Sequence, residues 1–473
     1  MAGKLVMSVV EWLCHHIWFS DIAVALSIVF ILSCILNRLT NKGPMLWPVL
    51  GILPSLFFHM NDIYDWGTRA LIKAGGTFHY RGMLMGGNYG IMTVDPSNIE
   101  FMLKTRFKNF PKGNYYRERF HDLLGGGIFN VDHESWKEQR RIASSEMHST
   151  QFVAYSFQTI QDLVNQKLLE LTDKLAKSGD CIDLQEVLLR FTFDNICTAA
   201  FGIDPGCLAL ELPEVSFAKA FEEATELTLF RFMVPPFIWK SMKFFGVGTE
   251  KRLQEAVRVV HDFAEKTVAD RRIELSKTGN LNKQTDLLSR IMAIGEHEEG
   301  EINEVLGHRE SNTALTMKDL KKMVYLQAAL SETLRLYPSV PVDFKEVVED
   351  DVLPDGTRVK KGSRVLYSIF SMARMESIWG KDCMEFKPER WIKDGQFVSE
   401  NQFKYPVFNA GPRLCIGKKF AFTQMKMVAA SILMRYTVKV VEGHSVVPKM
   451  TTTLYMRNGL LVTLEPRLSL VIN

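Results

Sequence analysis

The segment Ile17 to Leu36 is apolar apart from Ser20, Asp21, Ser27 and Ser33. As a helix, its 20 residues span about 30 Å, one bilayer core. A chain that commits this run to a membrane must fold the remainder on one side of it. Trp18 lies near one end, where an interfacial anchor belongs, and Arg38 and Lys42 follow the other. A cleavable signal peptide is the rival reading; it needs a basic start and a small-residue cleavage site. Here the positive charge lies mostly after the run and no such site is visible. The reading is a short lumenal stub over 1–16, a transmembrane anchor over 17–36, and the bulk of the chain on the cytoplasmic side. The strip from Gly43 to Leu56 is rich in proline, which stops helix and holds backbone extended. Residues 37–56 therefore read as a stiff neck before one body, 57–473.

Length alone suggests about three domains of roughly 150 residues each. No Ser/Gly-rich linker, low-complexity tract or internal repeat divides the body, so one large unit fits better. Apolar residues at three- and four-residue spacing predict helices over Leu163–Ala176, Leu184–Ala200, Lys251–Ser276 and Met317–Tyr337, the last ended by Pro338. Strand signals occur at Tyr89–Val94, around Val352–Phe370 with a Pro354-Asp355-Gly356 turn, and at Thr451–Leu464. The fold class is mainly α with small β elements. A formal net charge of +3 without a basic block gives no support for nucleic acid as a partner. The seven cysteines (Cys14, Cys34, Cys181, Cys197, Cys207, Cys383, Cys415) follow neither a disulfide framework nor a zinc pattern. Six of them read as small buried apolar residues.

Cys415 is the exception. It lies in Phe408-Asn-Ala-Gly411-Pro-Arg413-Leu-Cys415-Ile-Gly417, just before the apolar helical stretch Lys418–Tyr436. Free backbone N–H groups and the dipole at a helix N-terminus stabilise a negative sulfur. The run resembles the haem-binding signature Phe-x-x-Gly-x-Arg-x-Cys-x-Gly of the cytochromes P450. That resemblance implies the cytochrome P450 fold, with haem b as cofactor and Cys415 as axial ligand of its iron. It makes Gly411 and Gly417 points of close approach to the macrocycle, and Arg413 a cation for a propionate. Two further motifs agree. Glu332-Thr-Leu-Arg335 and Lys387-Pro388-Glu389-Arg390-Trp391 match the family's Glu-x-x-Arg and Pro-Glu-Arg segments. Glu332, Arg335 and Arg390 are then expected to form a buried structural triad that must be fully satisfied. Other Glu-x-x-Arg pairs, such as Glu138/Arg141, read as exposed helix ion pairs. Trp136-Lys-Glu-Gln-Arg140 matches the family's Trp-x-x-x-Arg helix, whose i and i+4 positions share a face toward a propionate.

Phe191–Cys207, Pro341-Val-Asp-Phe-Lys345 and Phe408–Ala421 look like the plant fatty-acid ω-hydroxylases. This implies hydroxylation of long-chain fatty acids at or near the terminal methyl, using O2. Electrons would come from NADPH through NADPH-cytochrome P450 reductase at the endoplasmic reticulum membrane. Another lipophilic substrate is the alternative. Lys418, Lys419 and Lys426 near the thiolate helix are candidates for docking an acidic partner; a solvated charged face is the plainer reading.

In one respect the chain departs from the family. The resemblance implies a long central helix over the distal haem face, carrying Ala/Gly-Gly-x-Asp/Glu-Thr. No such pattern occurs; Ala74-Gly75-Gly76-Thr77 has the wrong spacing and position. Thr285 to Glu310 passes between two family-like segments through a short polar stretch, with the join near His297 to Glu304. A segment on the order of forty residues is missing, enough at 1.5 Å per residue for a membrane-thick helix. No distal catalytic residue can then be named. A haem-binding but catalytically impaired form is the second functional reading.

Overall fold

The computed structural model describes residues 19–82, 89–213, 215–278, 286–288, 315–449 and 451–467. The larger sheet joins strands far apart in the chain. Thr77–Arg81 pairs antiparallel with Tyr89–Thr93, which runs parallel to Arg364–Ser368, which pairs antiparallel with Val342–Glu346. Its alternation places Phe78, Ile91, Val365 and Tyr367 in a core shared with Ile99, Met102, Leu103 and Phe110. A second sheet pairs Tyr436–Val440 with Leu461–Pro466, and the latter with Ile182–Asp183. It closes one end of a helical core built on Ile160, Val164, Leu168, Phe191, Met427 and Ile432.

Helices dominate the rest, and the caps explain their ends. Asp183 accepts from the backbone N–H of Gln185 and Glu186 to start Leu184–Phe201, and Gly202 at φ +67 ends it. That helix and Gly248–Thr278 lie where the periodicity predicts them. Two expectations are corrected. The predicted helix over 317–337 is two: Met317–Lys322, started by a Thr316/Asp319 capping box, and Val324–Leu336, separated at Met323 with ψ 72. The proline-rich strip is not extended throughout. Trp47 pairs with Gly51 across a turn, and Leu53–Phe58 is a helix with Pro54 in its first turn, where its missing N–H is not needed. The stretch predicted as helix over 163–176 is helical but interrupted, with a π-turn over Val164–Leu168 between Thr150–Leu163 and Leu169–Ser178.

The N-terminal apolar run forms the helix Phe19–Thr40, long and apolar enough to cross a membrane. The hydroxyls of Ser27 and Thr40 donate to the carbonyls of Ala23 and Leu36, four residues back, so these groups are satisfied within the helix. Its large side chains, among them Val24, Leu26, Val29 and Leu32, are exposed rather than packed on the body. Trp18 lies outside the described residues. Cys197, Cys207 and Cys383 are buried as expected. Cys34 is half-buried, and Cys181 is exposed because it sits in the link between the turn at Gly179 and the strand Ile182–Asp183.

Candidate functional site

The loop from Phe408 to Gly417 is held by its own backbone. Cys415 N–H donates to the Phe408 carbonyl at 2.8 Å and Leu414 N–H to that of Gly411 at 3.0 Å. Gly411 adopts φ +62, and a Cβ there would lie 2.1 Å from the Leu103 carbonyl oxygen, so a side chain is excluded. Gly417 is different: its Cβ would meet Met147 Cε at 3.6 Å and Cys415 Sγ at 3.9 Å, ordinary contacts. Packing within the chain therefore requires a glycine at 411 and not at 417. The helix Lys418–Arg435 follows with Gly417 at its N-cap, close to its predicted bounds. Cys415 lies two residues before that N-cap and is exposed, so its thiol is open to a ligand. The Phe408 ring packs on Phe422 at 5.4 Å.

Trp136, Arg140 and Arg413 converge. Trp136, on the helix His133–His148, is buried. The Arg413 guanidinium lies 4.5 Å from its ring centroid, and that of Arg140 lies 5.6 Å away. Arg140 Nη2 donates to the Leu414 carbonyl at 2.6 Å, tying the helix to the cysteine loop. Burial pushes the pKa of both arginines down; the nearby Cys415 sulfur opposes this for Arg140, and Asp132 does so for Arg413. Arg413 has a partner that spacing did not reveal. Its Nη2 donates to Asp132 Oδ1 at 2.5 Å and to the Val131 carbonyl at 3.1 Å. Asp132 also accepts from the N–H groups of Lys112 and Gly113, both at 3.0 Å. It thus fixes Arg413 against the start of the helix Gly113–Leu124.

A second group missed by sequence reading lies beside the same loop. Lys345 is fully buried, with Nζ 2.9 Å from Asp343 Oδ2. Tyr367 O–H donates to that oxygen at 2.7 Å, and Asn409, within the cysteine loop, reaches it at 3.3 Å. Burial works to raise the Asp343 pKa, but the charges of Lys345 and Lys112 and the bonds from Tyr367 and Lys345 hold it well below the carboxylate range. Burial brings Lys345 down to about 8, with Asp343 opposing.

The expected triad forms and is well satisfied. Arg335 donates to both Glu332 oxygens at 2.8 and 2.9 Å, and Arg390 Nε to Oε1 at 3.3 Å. Lys387 N–H and Trp391 Nε1 complete the carboxylate, each at 3.0 Å. Arg335 also donates to the carbonyls of Ala373, Cys383 and Glu385. Burial alone would raise the Glu332 pKa; these donors outweigh it and lower it. Glu138 and Arg141 make the exposed pair expected of them. One expectation fails. Lys426 cannot dock a partner, because it is buried and donates to the Leu320 carbonyl at 2.9 Å. Lys419 is exposed, and Lys418 is half-buried, with Nζ 5.7 Å from the Phe408 ring centroid.

These residues fit the proximal half of a haem site. They offer an open thiol at the start of a helix and two arginines beside an indole, which would face the propionates of a bound haem. The stretch expected to carry the interruption, Thr285 to Glu310, lies outside the described residues except for 286–288.

Comparison with known proteins agrees. A family model described as Cytochrome P450 matches residues 42–301 and 296–469. The match falls into two pieces that meet where the missing segment is expected. Cytochrome P450 86B1 of Arabidopsis thaliana is 46% identical, covering 93% of this chain and 88% of that protein. Cytochrome P450 94A1 of Vicia sativa is 37% identical, with 85% of each chain covered. Noroxomaritidine synthase 2 of Narcissus aff. pseudonarcissus MK-2014 is 33% identical, covering 96% and 98%. The first alignment runs over 495 positions, while 93% of 473 residues is about 440. About 55 aligned positions therefore hold no residue of this chain.

Proposed function

This chain belongs to the cytochrome P450 family of haem-thiolate monooxygenases, and from that premise we propose that it hydroxylates long-chain fatty acids at or near the ω carbon. The observation that carries the chemistry is the open Cys415 thiol at the start of Lys418–Arg435, beside Arg413, Arg140 and Trp136. When bound, the haem supplies the activation of O2 for insertion of one oxygen atom into a C–H bond. The chain's own residues do the rest. Cys415 would provide the thiolate ligand. Arg413, oriented by Asp132, and Arg140, oriented by Leu414, bring positive charge to the propionates. Glu332, Arg335 and Arg390 lock the helix Val324–Leu336 to the segment from Ala373 to Trp391.

The substrate class rests on the likeness of Phe191–Cys207 and Pro341–Lys345 to plant fatty-acid ω-hydroxylases. The electrons are proposed to come from NADPH through a membrane reductase, with the helix Phe19–Thr40 in the endoplasmic reticulum membrane and the haem domain facing the cytosol. The test is to incubate membranes carrying a form with the central segment restored with NADPH, reductase and a panel of fatty acids, terpenoids and phenolics. Terminal or near-terminal hydroxy fatty acids are expected. Turnover of the other classes with none of the fatty acids rejects the substrate assignment; the relative named noroxomaritidine synthase 2 makes that outcome worth including.

A second reading applies to this chain as it stands: haem binding with impaired turnover. The two-piece family match and the unfilled alignment positions favour it.

A further inference from the structure

Buried hydrogen-bond donors are nearly always paired. Among the described residues, three that are not gather where the helix Gly113–Leu124 meets Ser216–Met233, Pro236–Phe245 and the start of Gly248–Thr278. Arg119, 1% exposed, donates Nε to the Arg231 carbonyl at 2.9 Å and Nη1 to that of Tyr115 at 3.0 Å, yet Nη2 has no hydrogen-bond partner. Its guanidinium lies 3.4 Å from the Tyr115 ring centroid, 5.4 Å from that of Phe232 and 5.9 Å from that of Trp239. Trp239, 3% exposed, has its Nε1 unpartnered, as has the Thr249 hydroxyl.

The nearby acids do not answer these donors. Glu250 and Asp122 are committed to Arg231, at 2.6 and 2.7 Å, and Asp122 also to Lys243 at 2.8 Å. The acid paired with Arg119 is the exposed Glu118, at 3.9 Å from Nη1. The junction holds unpaired donors and one poorly compensated cation, flanked by the rings of Tyr115, Phe232 and Trp239 beside an ion-pair network that is already satisfied. That combination suits an oxyanion attached to a long apolar body.

We propose that this junction receives the carboxylate of a fatty acid, with Arg119 Nη2 and Trp239 Nε1 donating to its oxygens. The inference rests on the fatty-acid reading above and adds how such a substrate is oriented. The N-terminal end of Gly113–Leu124 is tied through Asp132 to Arg413 of the cysteine loop. Arg119 lies six residues further along, about 9 Å of helical rise. An acid held there is set back from the loop, leaving the terminal methyl as the end free to approach it.

The test is equilibrium dialysis of the full haem-loaded chain with hexadecanoic acid and its methyl ester, which lacks the charge. The acid should bind about tenfold or more tightly than the ester. Arg119→Gln and Trp239→Phe should each weaken the acid and leave the ester unchanged. Trp239→Phe keeps an aromatic ring in place, so it decides the matter if Arg119→Gln does not fold. Equal binding of acid and ester, or an acid preference that survives Trp239→Phe and any folded Arg119→Gln, overturns the carboxylate site alone. Binding of terpenoids or phenolics with neither hexadecanoic ligand bound overturns the fatty-acid reading and this site with it.

Discussion

Asp343 lies between Lys345, Tyr367 and Asn409, beside the loop that carries Cys415. Its carboxyl is held below an ordinary value of 3.8. A depressed carboxylate contributes stability that is present above the unfolded value and lost as pH falls through the folded one. This term is therefore intact at neutral pH and fades below about pH 4. Asp343→Asn should destabilise the protein at pH 7 by about 3 to 5 kcal/mol, because Lys345 is left buried without its partner. The gap between variant and parent should narrow in acid, read as urea midpoints from about pH 2 to about pH 6, roughly two pH units either side of the onset of the change. A gap independent of pH would mean that Asp343 acts by packing alone. The same residues show what is legible at this scale. Cys415, Glu332 and Arg335 are readable because their motifs are short and local. Asp132 escapes because its partner Arg413 is 281 positions away, and no spacing rule encodes that pairing. Trp391 lies inside a recognised segment, yet only the fold brings its indole to Glu332.

At the scale of elements, helices with strong periodicity and good caps are found where expected, and breaks are not. Met323 parts a helix whose apolar pattern continues across it, since side-chain periodicity does not report a backbone ψ of 72. Pro54 reads as a helix stop and instead begins one, because proline is tolerated in the first turn. The two-residue strands Asp351–Val352 and Arg358–Val359 are set by pairing across the turn that Pro354 to Gly356 announces. The element with a direct prediction is Phe19–Thr40. Its exposed apolar surface requires a bilayer or an equivalent cover. Protease treatment of sealed microsomes should digest the body, while carbonate washing should leave the chain in the membrane. Protection of the body, or release by carbonate alone, would count against an uncleaved anchor with the body outside the lumen.

For the whole molecule, the proximal and distal halves have different standing. The residues proposed for the proximal half, Cys415, Arg413, Arg140 and Trp136, lie together in space. Against one relative about 55 aligned positions hold no residue of this chain, and the two pieces of the family match meet at 296–301, where the distal segment is expected. A site without its wall does not exclude water and side reactions. Per NADPH consumed, this chain should therefore yield little hydroxylated product at matched haem content, and a form with the segment restored should yield much more. Equal yields would show the interruption to be harmless. Beneath that comparison lies the assignment of Cys415 as the ligand of a haem-thiolate centre. It is tested most directly by the carbon-monoxide spectrum of the reduced, haem-loaded chain beside its Cys415→Ser variant. The parent should show the red-shifted band of a thiolate-ligated haem and the variant should lose it; a band of equal strength in both would contradict the assignment.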